Sequence, residues 1–110
     1  MADIVEIRSY NLKPGQQEEF HRLFKEETCP ILRKWQVDVV AFGPSVQDAT
    51  SYYLIRRYHD LADLEQSQEA FYSSDEWKQG PREPVLACIE NFTSIVLTVD
   101  PATLEGLRKV

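Results

Sequence analysis

The spacing of apolar residues in this 110-residue chain changes repeatedly between strand-like and helix-like periods. A period of two indicates a strand, because successive strand side chains point to opposite faces. Strands are predicted at 4–12, 36–46, 50–59 and 91–99. A helical period of about 3.6 begins at Gln16 and returns over 61–73. The order βαββαβ, with a short helix after Asp100-Pro101, predicts an α+β fold in which a four-stranded antiparallel sheet carries two helices on one face.

Proline, glycine and aspartate mark the boundaries of these elements. Lys13-Pro14-Gly15 is expected to end the first strand, since proline lacks an N–H donor and glycine tolerates left-handed backbone. Pro30 is expected to kink or end the first helix near Thr28-Cys29. Asp60 is predicted to cap the second helix, with Asp63 three positions on in a variant of the capping box.

The segment between the second helix and the fourth strand has weaker signals. Ser74 is predicted to begin a short helical turn that closes at Gly80-Pro81, and residues 84–90 are predicted to add one more turn. A mass of 12.8 kDa and 43% hydrophobic residues fit a single domain over 1–110 with a core of its own.

The charge balance excludes one class of partner. Eighteen acidic against twelve basic residues give a formal net charge of −6, which repels phosphate backbones. The basic residues form short pairs such as Arg33-Lys34 and Arg108-Lys109, without the stripe that neutralises a nucleic acid. We therefore expect no nucleic-acid partner.

The N-terminal residues and the two cysteines predict the cellular compartment of the protein. Met1-Ala2-Asp3 introduces an acid at once and leads into no long apolar run, so we expect neither a signal peptide nor a membrane span. Cys29 and Cys88 are far apart and are expected to be reduced packing residues. A cytosolic protein without a membrane partner is predicted.

The sheet face opposite the helices is expected to be apolar. We assign to it the strand positions Tyr10, Tyr52, Leu54 and Tyr58, while the fourth strand is apolar on both faces. A face in contact with water would carry polar residues there. We therefore predict a homodimer in which two copies close sheet on sheet about a two-fold axis. The alternative is that the terminal helix alone shields this face.

Three segments together carry a resemblance to a known family. They read Glu6-x-Arg8-x-Tyr10-x-Leu12-Lys13-Pro14-Gly15, then Tyr53-Leu54-Ile55-Arg56-Arg57-Tyr58-x-x-Leu61, then Phe71-Tyr72-x-Ser74-x-x-Trp77. Over roughly residues 4–99 the chain resembles the NIPSNAP family. The resemblance implies a ferredoxin-like fold of the dimeric α+β barrel type, in agreement with the pattern above.

The same architecture serves several functions, which the resemblance leaves open. It occurs in cofactor-free monooxygenases, isomerases, haem-binding enzymes and proteins without known activity. NIPSNAP members have no agreed reaction, so no catalytic residue is carried over to this chain, and whether it is an enzyme stays open.

The sequence has two histidines and none of the common metal-binding motifs, so it indicates few candidates for catalysis or metal binding. His21 lies on the flank of the first helix, where it is either a base facing a gap or a partly exposed surface residue. His59 adjoins the Asp60 cap. With no H-x-H, H-E-x-x-H or C-x-x-C we predict no metal site. Either histidine could in principle ligate a haem iron, but no cofactor is expected.

The remaining candidates for a ligand pocket are aromatic and cationic. Together with His21 they are Trp35, Phe42, Tyr53, Arg57, Trp77 and Arg82. By strand parity Tyr53 and Arg57 are assigned to the helix-facing side with Val5 and Ile7. A buried Arg57 would need Glu83, Glu90 or an anionic ligand as partner.

Two hypotheses follow from these candidates. The first is a small-molecule binding protein, with or without a reaction such as that of a cofactor-free monooxygenase or isomerase, that takes an apolar or aromatic molecule between sheet and helices. The second is a structural or interaction homodimer with a filled core and no ligand.

Overall fold

The computed structural model describes residues 3–109 of the chain. Expectations that concern Met1, Ala2 and Val110 lie outside these residues. Four strands form one antiparallel sheet in the order β2-β3-β1-β4. The strands are β1 (Asp3–Leu12), β2 (Asp38–Pro44), β3 (Ser51–Tyr58) and β4 (Ile89–Val99). This is the predicted α+β, ferredoxin-like fold.

The pairing places β1 in the middle of the sheet and β4 at an edge. Ile7 of β1 lies opposite Ile55 of β3 on one side and Ile95 of β4 on the other. Strand β4 begins at Ile89, two residues before the predicted start. The turn at Pro14-Gly15 follows the prediction, with Gly15 in the left-handed region at φ +78°.

The first helical segment continues past Pro30. It comprises α1 (Gln17–Leu23), a π-helical turn (Phe24–Thr28) and α2 (Cys29–Lys34). The N–H of Cys29 bonds to the carbonyl of Phe24, five residues back. This wider turn leaves room for the proline ring within the first turn of α2, where a missing N–H costs little. The helix therefore widens where a kink or an end was predicted.

Three further helices join β3 to β4, and one follows β4. They are α3 (Leu61–Ser73), α4 (Asp75–Gln79), α5 (Arg82–Cys88) and α6 (Pro101–Leu107). The predicted caps are present, since Asp60, Ser74 and Asp100 each accept the backbone N–H three residues on. The Asp63 carboxylate accepts the N–H of His59 at 2.9 Å, one residue before the cap. None of the helices within 3–109 combines the length and apolar character needed to cross a bilayer.

The assignment of the two sheet faces from sequence was inverted. Tyr10, Tyr52, Leu54 and Tyr58 lie on the helix-side face, in one core with side chains such as Phe20, Phe71 and Trp77. Strand alternation separates the two sets of residues but does not say which set meets the helices. Here the set with the larger aromatic side chains packs against them, because it offers more apolar area to bury.

The opposite face of the sheet is partly covered by α6. Leu104 of α6 packs with Val5, Val40, Ile55 and Val99 in a second, smaller core. Helix α6 does not cover the part of this face near the β4 edge, where Ile95 and Leu97 are 60% and 36% exposed. The terminal helix thus shields only part of this face.

Docking of α6 should contribute measurably to stability. Replacing Leu104, which is 5% exposed, by alanine is expected to lower the free energy of unfolding by about 2–5 kcal/mol. The loss has two causes, because fewer apolar atoms are removed from water on folding and a cavity remains in the core. Leu61→Ala, at a position 59% exposed on α3, is the matched control and should cost well under half as much. Urea unfolding of both variants measures the difference, and equal losses would show that α6 is not packed on the sheet.

Candidate functional site

A cleft of about 870 Å³ lies between the helix-side face of the sheet and the helices α3, α4 and α5. Strands β1 and β4 form its floor. The cleft exists because β4 is the edge strand and the helices pack chiefly over the other strands. At its rim Leu86 and Phe92 are 44% and 49% exposed, so the cleft is open to solvent.

One part of the lining is apolar and largely aromatic. Its side chains are Tyr10, Trp77, Val85, Leu86, Ile89 and Phe92. The ring of Tyr10 lies 5.9 Å from that of Phe92 between centroids, and Trp77 lies 5.4 Å from Phe71 of the core. Because Tyr10 and Trp77 are buried against the core, they give the cleft rigid walls.

The other part of the lining is polar and mainly cationic. It comprises Arg8, Gln68, Tyr72, Lys78, Arg82 and Glu90, together with Asn91. Three of these side chains carry a positive charge and one a negative charge. The Arg82 guanidinium also donates to Glu83 at 2.8 Å on the exposed side of α5.

Beneath the cleft a single carboxylate is buried between two arginines. Glu6, Arg8 and Arg56 are 3%, 8% and 1% exposed. Arg56 Nε donates to Glu6 Oε1 at 3.2 Å, and Arg8 Nη2 donates to Glu6 Oε2 at 3.0 Å. Within residues 3–109 neither guanidinium has a second carboxylate as ion-pair partner. The group therefore holds one positive charge in excess.

Two side chains of α3 tie this charged group to the helix layer. The hydroxyl oxygen of Tyr72 accepts hydrogen bonds from Nη1 of both Arg8 and Arg56, each at 3.1 Å. Gln68 Nε2 donates to Glu6 Oε1 at 3.0 Å. The polar contacts of α3 therefore converge on the cleft floor, where they fix the arginines in place.

Arg8 is the member of the group that faces the cleft. Its guanidinium carbon lies 4.5 Å from the centroid of the Phe92 ring, a cation–π contact across the β1–β4 pair. Its Nε is buried, and among the described residues it has no hydrogen-bond partner. A buried donor without a partner costs about 1–3 kcal/mol unless a ligand or a water satisfies it.

The charges also shift the ionisation of the neighbouring groups. Burial alone would raise the pKa of Glu6, but the adjacent Arg56 and Arg8 outweigh burial and hold the pKa of this carboxyl below its usual range. Burial raises the pKa of Tyr10 to about 12, so this phenol stays protonated at neutral pH. The carboxylate and the two cations of the cleft floor therefore lie beside a neutral Tyr10 phenol.

Two of the seven residues predicted from sequence line this cleft, Trp77 and Arg82. His21 and Phe42 lie together elsewhere on the helix-side face, with His21 Nδ1 at 2.7 Å from the Tyr52 hydroxyl. Trp35 borders a shallow depression beside the start of α4 and is 41% exposed. The predicted set does not form one site.

Tyr53 and Arg57 lie on the face opposite the main helix layer, contrary to their parity assignment. Val5 pairs with Arg57 and Ile7 with Ile55 across β1 and β3, so these positions share the α6 side. Arg57 is half-buried, and its Nε donates to Asp3 at 3.1 Å rather than to Glu83 or Glu90. The buried arginine of β3 is its neighbour Arg56.

Sequence reasoning missed Arg8, Gln68 and Tyr72 as site residues. Glu6 and Arg8 alternate with Tyr10 along β1, so they share the strand face of Tyr10, which was assigned away from the helices. The sequence did contain a signal, because two charged residues alternate with an aromatic one along a central strand. Charged residues on a buried strand face need polar partners, which points to a site.

Metal-binding groups and paired cysteines are not found in 3–109. No cluster of three or more His, Cys, Asp or Glu side chains in that range could hold a metal ion. Cys29 and Cys88 are both buried and unpaired, and burial raises the pKa of each thiol. Neither thiol is therefore activated for nucleophilic chemistry.

Comparison with known proteins identifies the family. The NIPSNAP family model matches residues 5–102, which is most of the chain. The chain belongs to the NIPSNAP family. No curated protein matches it. The cleft-lining residues run from Arg8 to Phe92, so the site described above lies within the matched NIPSNAP domain.

Solved structures of other NIPSNAP proteins have the same fold. An uncharacterised NIPSNAP-like domain protein from Burkholderia xenovorans has a TM-score of 0.82 and 21% identity, covering 90% of this chain and 86% of its own. A NIPSNAP family protein of unknown function from Agrobacterium tumefaciens has a TM-score of 0.80 and 17% identity, covering 88% and 87%. A putative antibiotic biosynthesis monooxygenase from Nitrosomonas europaea has a TM-score of 0.64 and 16% identity, covering 86% and 95%. These likenesses show the fold alone.

The charged group of this NIPSNAP domain should be essential to its stability. Glu6→Gln leaves two buried guanidiniums without a carboxylate, which is expected to lower the free energy of unfolding by about 3–5 kcal/mol. Glu76→Gln removes the partner of Lys34 in an exposed ion pair and should cost less than about 1 kcal/mol. Urea unfolding at pH 7 compares the two, and a small loss in Glu6→Gln would contradict the proposed importance of the charge pairing.

The stability difference should depend on pH with a defined sign. The pKa of Glu6 is lower in the folded state than the usual value of 4.5, so the contribution of Glu6 to stability is complete above about pH 4.5 and disappears as pH falls through the folded-state pKa. The gap between the original protein and Glu6→Gln should be constant from pH 7 to about 4.5 and should narrow below that. A difference in the free energy of unfolding that grows in acid, instead of shrinking, would contradict this prediction.

Proposed function

We propose that this protein is a homodimeric small-molecule binding protein that takes an apolar or aromatic molecule into the cleft between sheet and helices. The observation that carries the proposal is the shape and lining of the cleft. A volume of about 870 Å³ lies within the usual range for ligand pockets, and a mostly apolar wall with a few fixed polar groups is their usual composition.

Exposure at the rim favours a ligand over a purely structural role. A structural or interaction dimer with a filled core would bury its large side chains, yet Leu86 and Phe92 face solvent next to a buried charged floor. A ligand that covers apolar side chains in such a position removes them from water, which makes binding more favourable. A ligand-free structural homodimer remains the alternative that the experiment below tests.

A cofactor-free monooxygenase or isomerase reaction is the second candidate. The shared fold with the putative antibiotic biosynthesis monooxygenase from Nitrosomonas europaea supports it by analogy. His21 and His59 lie outside the lining of the cleft, so no histidine in the described part of the chain is placed there as a base. Binding without a reaction is therefore the simpler role.

The proposal includes a cytosolic location. Cys29 and Cys88 are unpaired and buried in the helix-side core. Free buried thiols are common in proteins of reducing compartments, which supports this assignment.

Filling the cleft should abolish ligand binding. Leu86→Trp adds a ring at the cleft rim, while Leu61→Trp adds the same ring on α3 at an exposed position away from the cleft lining. In a thermal-shift screen of aromatic and apolar metabolites, compounds that raise the melting temperature of the original protein should raise that of Leu61→Trp but not that of Leu86→Trp.

Two results would contradict this expectation. Equal stabilisation of Leu86→Trp would place the ligand elsewhere. No stabilisation by any compound, together with unchanged tryptophan fluorescence, would favour the structural dimer.

A second copy of this chain is the partner we propose for the open sheet face. Strand β4 is an edge strand of eleven residues, and it exposes Ile95 and Leu97 on the side that α6 leaves bare. Isolated proteins usually protect such an edge with charge, proline or a bulge. Strand β4 has an acidic residue, Glu90, and a register shift at its start, but from residue 91 to 99 the edge has none of these features. Such an apolar edge is typical of a surface that pairs with another protein.

Charge argues that the occupant is a copy of the chain itself. The protein carries a net charge of −6, so two copies repel each other over most of their surfaces. Residues 91–99 contain no charged side chain, and a two-fold contact made there brings only neutral groups together. A homodimer formed at β4 therefore avoids the repulsion that other faces would cause.

One substitution on each side of the molecule tests this assembly. Leu97→Lys places two like charges at the proposed two-fold contact and should reduce the mass in solution from twice 12.8 kDa to 12.8 kDa. Leu86→Lys, at a similarly exposed leucine on the helix side, should leave the mass unchanged. Size-exclusion chromatography with light scattering measures both, and a monomeric original protein would end the proposal.

A further inference from the structure

We propose that the cleft selects a molecule that carries a carboxylate, and that the carboxylate binds against Arg8. This inference rests on the proposed function and adds the chemical class of the ligand. It follows from the charge and the free donors of the cleft floor, which an uncharged aromatic ligand would leave unmatched.

The first argument is the unbalanced charge. Arg8 and Arg56 share the single carboxylate of Glu6, and all three side chains are at least nine-tenths buried. Taking a charge out of water is costly unless an opposite charge compensates for it. A monoanion in the cleft would supply the missing negative charge.

The second argument is the set of unused donors. Arg8 Nε has no hydrogen-bond partner among the described residues but is closed to solvent, so a carboxylate reaches it only if the side chains over it shift. The Tyr72 oxygen already accepts two hydrogen bonds from the arginines, so its own proton is left to donate. Both residues line the cleft. An N–H of a guanidinium and a neighbouring O–H suit the two oxygens of one carboxylate, and bonds of this kind are about twice as strong as neutral ones.

The third argument is the charge at the rim. Lys78 and Arg82 lie at the cleft on α4 and α5, and Glu90 is the one acidic side chain among the lining residues. Arg82 also pairs with Glu83, so it adds little to the local field. Lys78 and Arg8 give the cleft a local excess of positive charge, although the whole chain carries −6. Such a field attracts an anion to a protein that otherwise repels anions.

The size of the excess charge indicates which anion fits. One uncompensated guanidinium at the floor balances a single negative charge, which a carboxylate carries and a phosphate monoester exceeds at neutral pH. The remaining walls are aromatic and apolar, with Tyr10, Trp77 and Phe92 as the main rings. We therefore expect an aromatic or apolar carboxylic acid rather than a phosphorylated metabolite.

Matched pairs of probes test the inference directly. The probes are benzoate with benzamide, 3-phenylpropanoate with its amide, and 2-naphthoate with 2-naphthamide, titrated by tryptophan fluorescence and thermal shift at constant ionic strength. Each pair has the same apolar part and differs in charge. We expect the carboxylate of a pair to bind about 10- to 100-fold more tightly than its amide, as hydrogen bonds to a charged group allow.

Two variants and a control locate the effect. Arg8→Gln leaves the Glu6–Arg56 pair balanced one to one, so it should fold, and it should abolish the preference for the carboxylate. Arg82→Gln at the exposed rim should weaken carboxylate binding only about two- to fivefold. Arg22→Gln changes a similarly exposed arginine outside the cleft lining and should have no effect. Urea unfolding checks that each variant is folded.

Each outcome separates this inference from the function on which it rests. Amides that bind as tightly as carboxylates, with binding still abolished by Leu86→Trp, would overturn the anion preference and keep the binding function. A carboxylate preference that survives in Arg8→Gln would also overturn the assignment of the carboxylate to Arg8. Failure of every amide and every carboxylate to bind would overturn both proposals.

Discussion

The structure depends on one carboxylate shared by two buried arginines. Glu6 and Arg56 are directly opposite each other in the β1–β3 pairing, so their ion pair fixes the register of the two central strands. A slip of one residue would turn Glu6 to the other face and leave Arg56 alone among apolar side chains. Tyr72 and Gln68 extend the same group to α3, so register and helix placement are set together.

Local patterns were enough to predict the elements of the fold. The caps at Asp60, Ser74 and Asp100 depend on residues only three positions apart, and the structure shows all three. The choice of sheet face depends on contacts made far along the chain, because apolar residues occur on both sides of β1 and β3. The continuation of the helix through Pro30 was also missed, since a π-helical turn compensates for proline in a way that residue type does not reveal.

The site was harder to predict than the fold for the same reason. Trp77 and Arg82 were found because an aromatic and a cationic residue near a turn are conspicuous in a sequence. Arg8 was missed because a charged strand residue is by default assigned to solvent, and its contacts with Tyr72 and Gln68 span 64 and 60 positions. Only the three-dimensional structure shows that this arginine is buried and that its Nε has no hydrogen-bond partner within residues 3–109.

Strand β4 links the two proposals in one element. On the helix side Phe92 stacks on Arg8 and forms a wall of the cleft, while on the other side Leu97 belongs to the surface that we assign to a second copy. An edge strand held on one side only is the least constrained part of a sheet. Packing a second copy against Leu97 would restrict the motion of β4, and with it the position of Phe92 over Arg8. In the proposed dimer the cleft wall would then be more rigid than in a single chain, and assembly would lower the ordering cost of binding the proposed ligand.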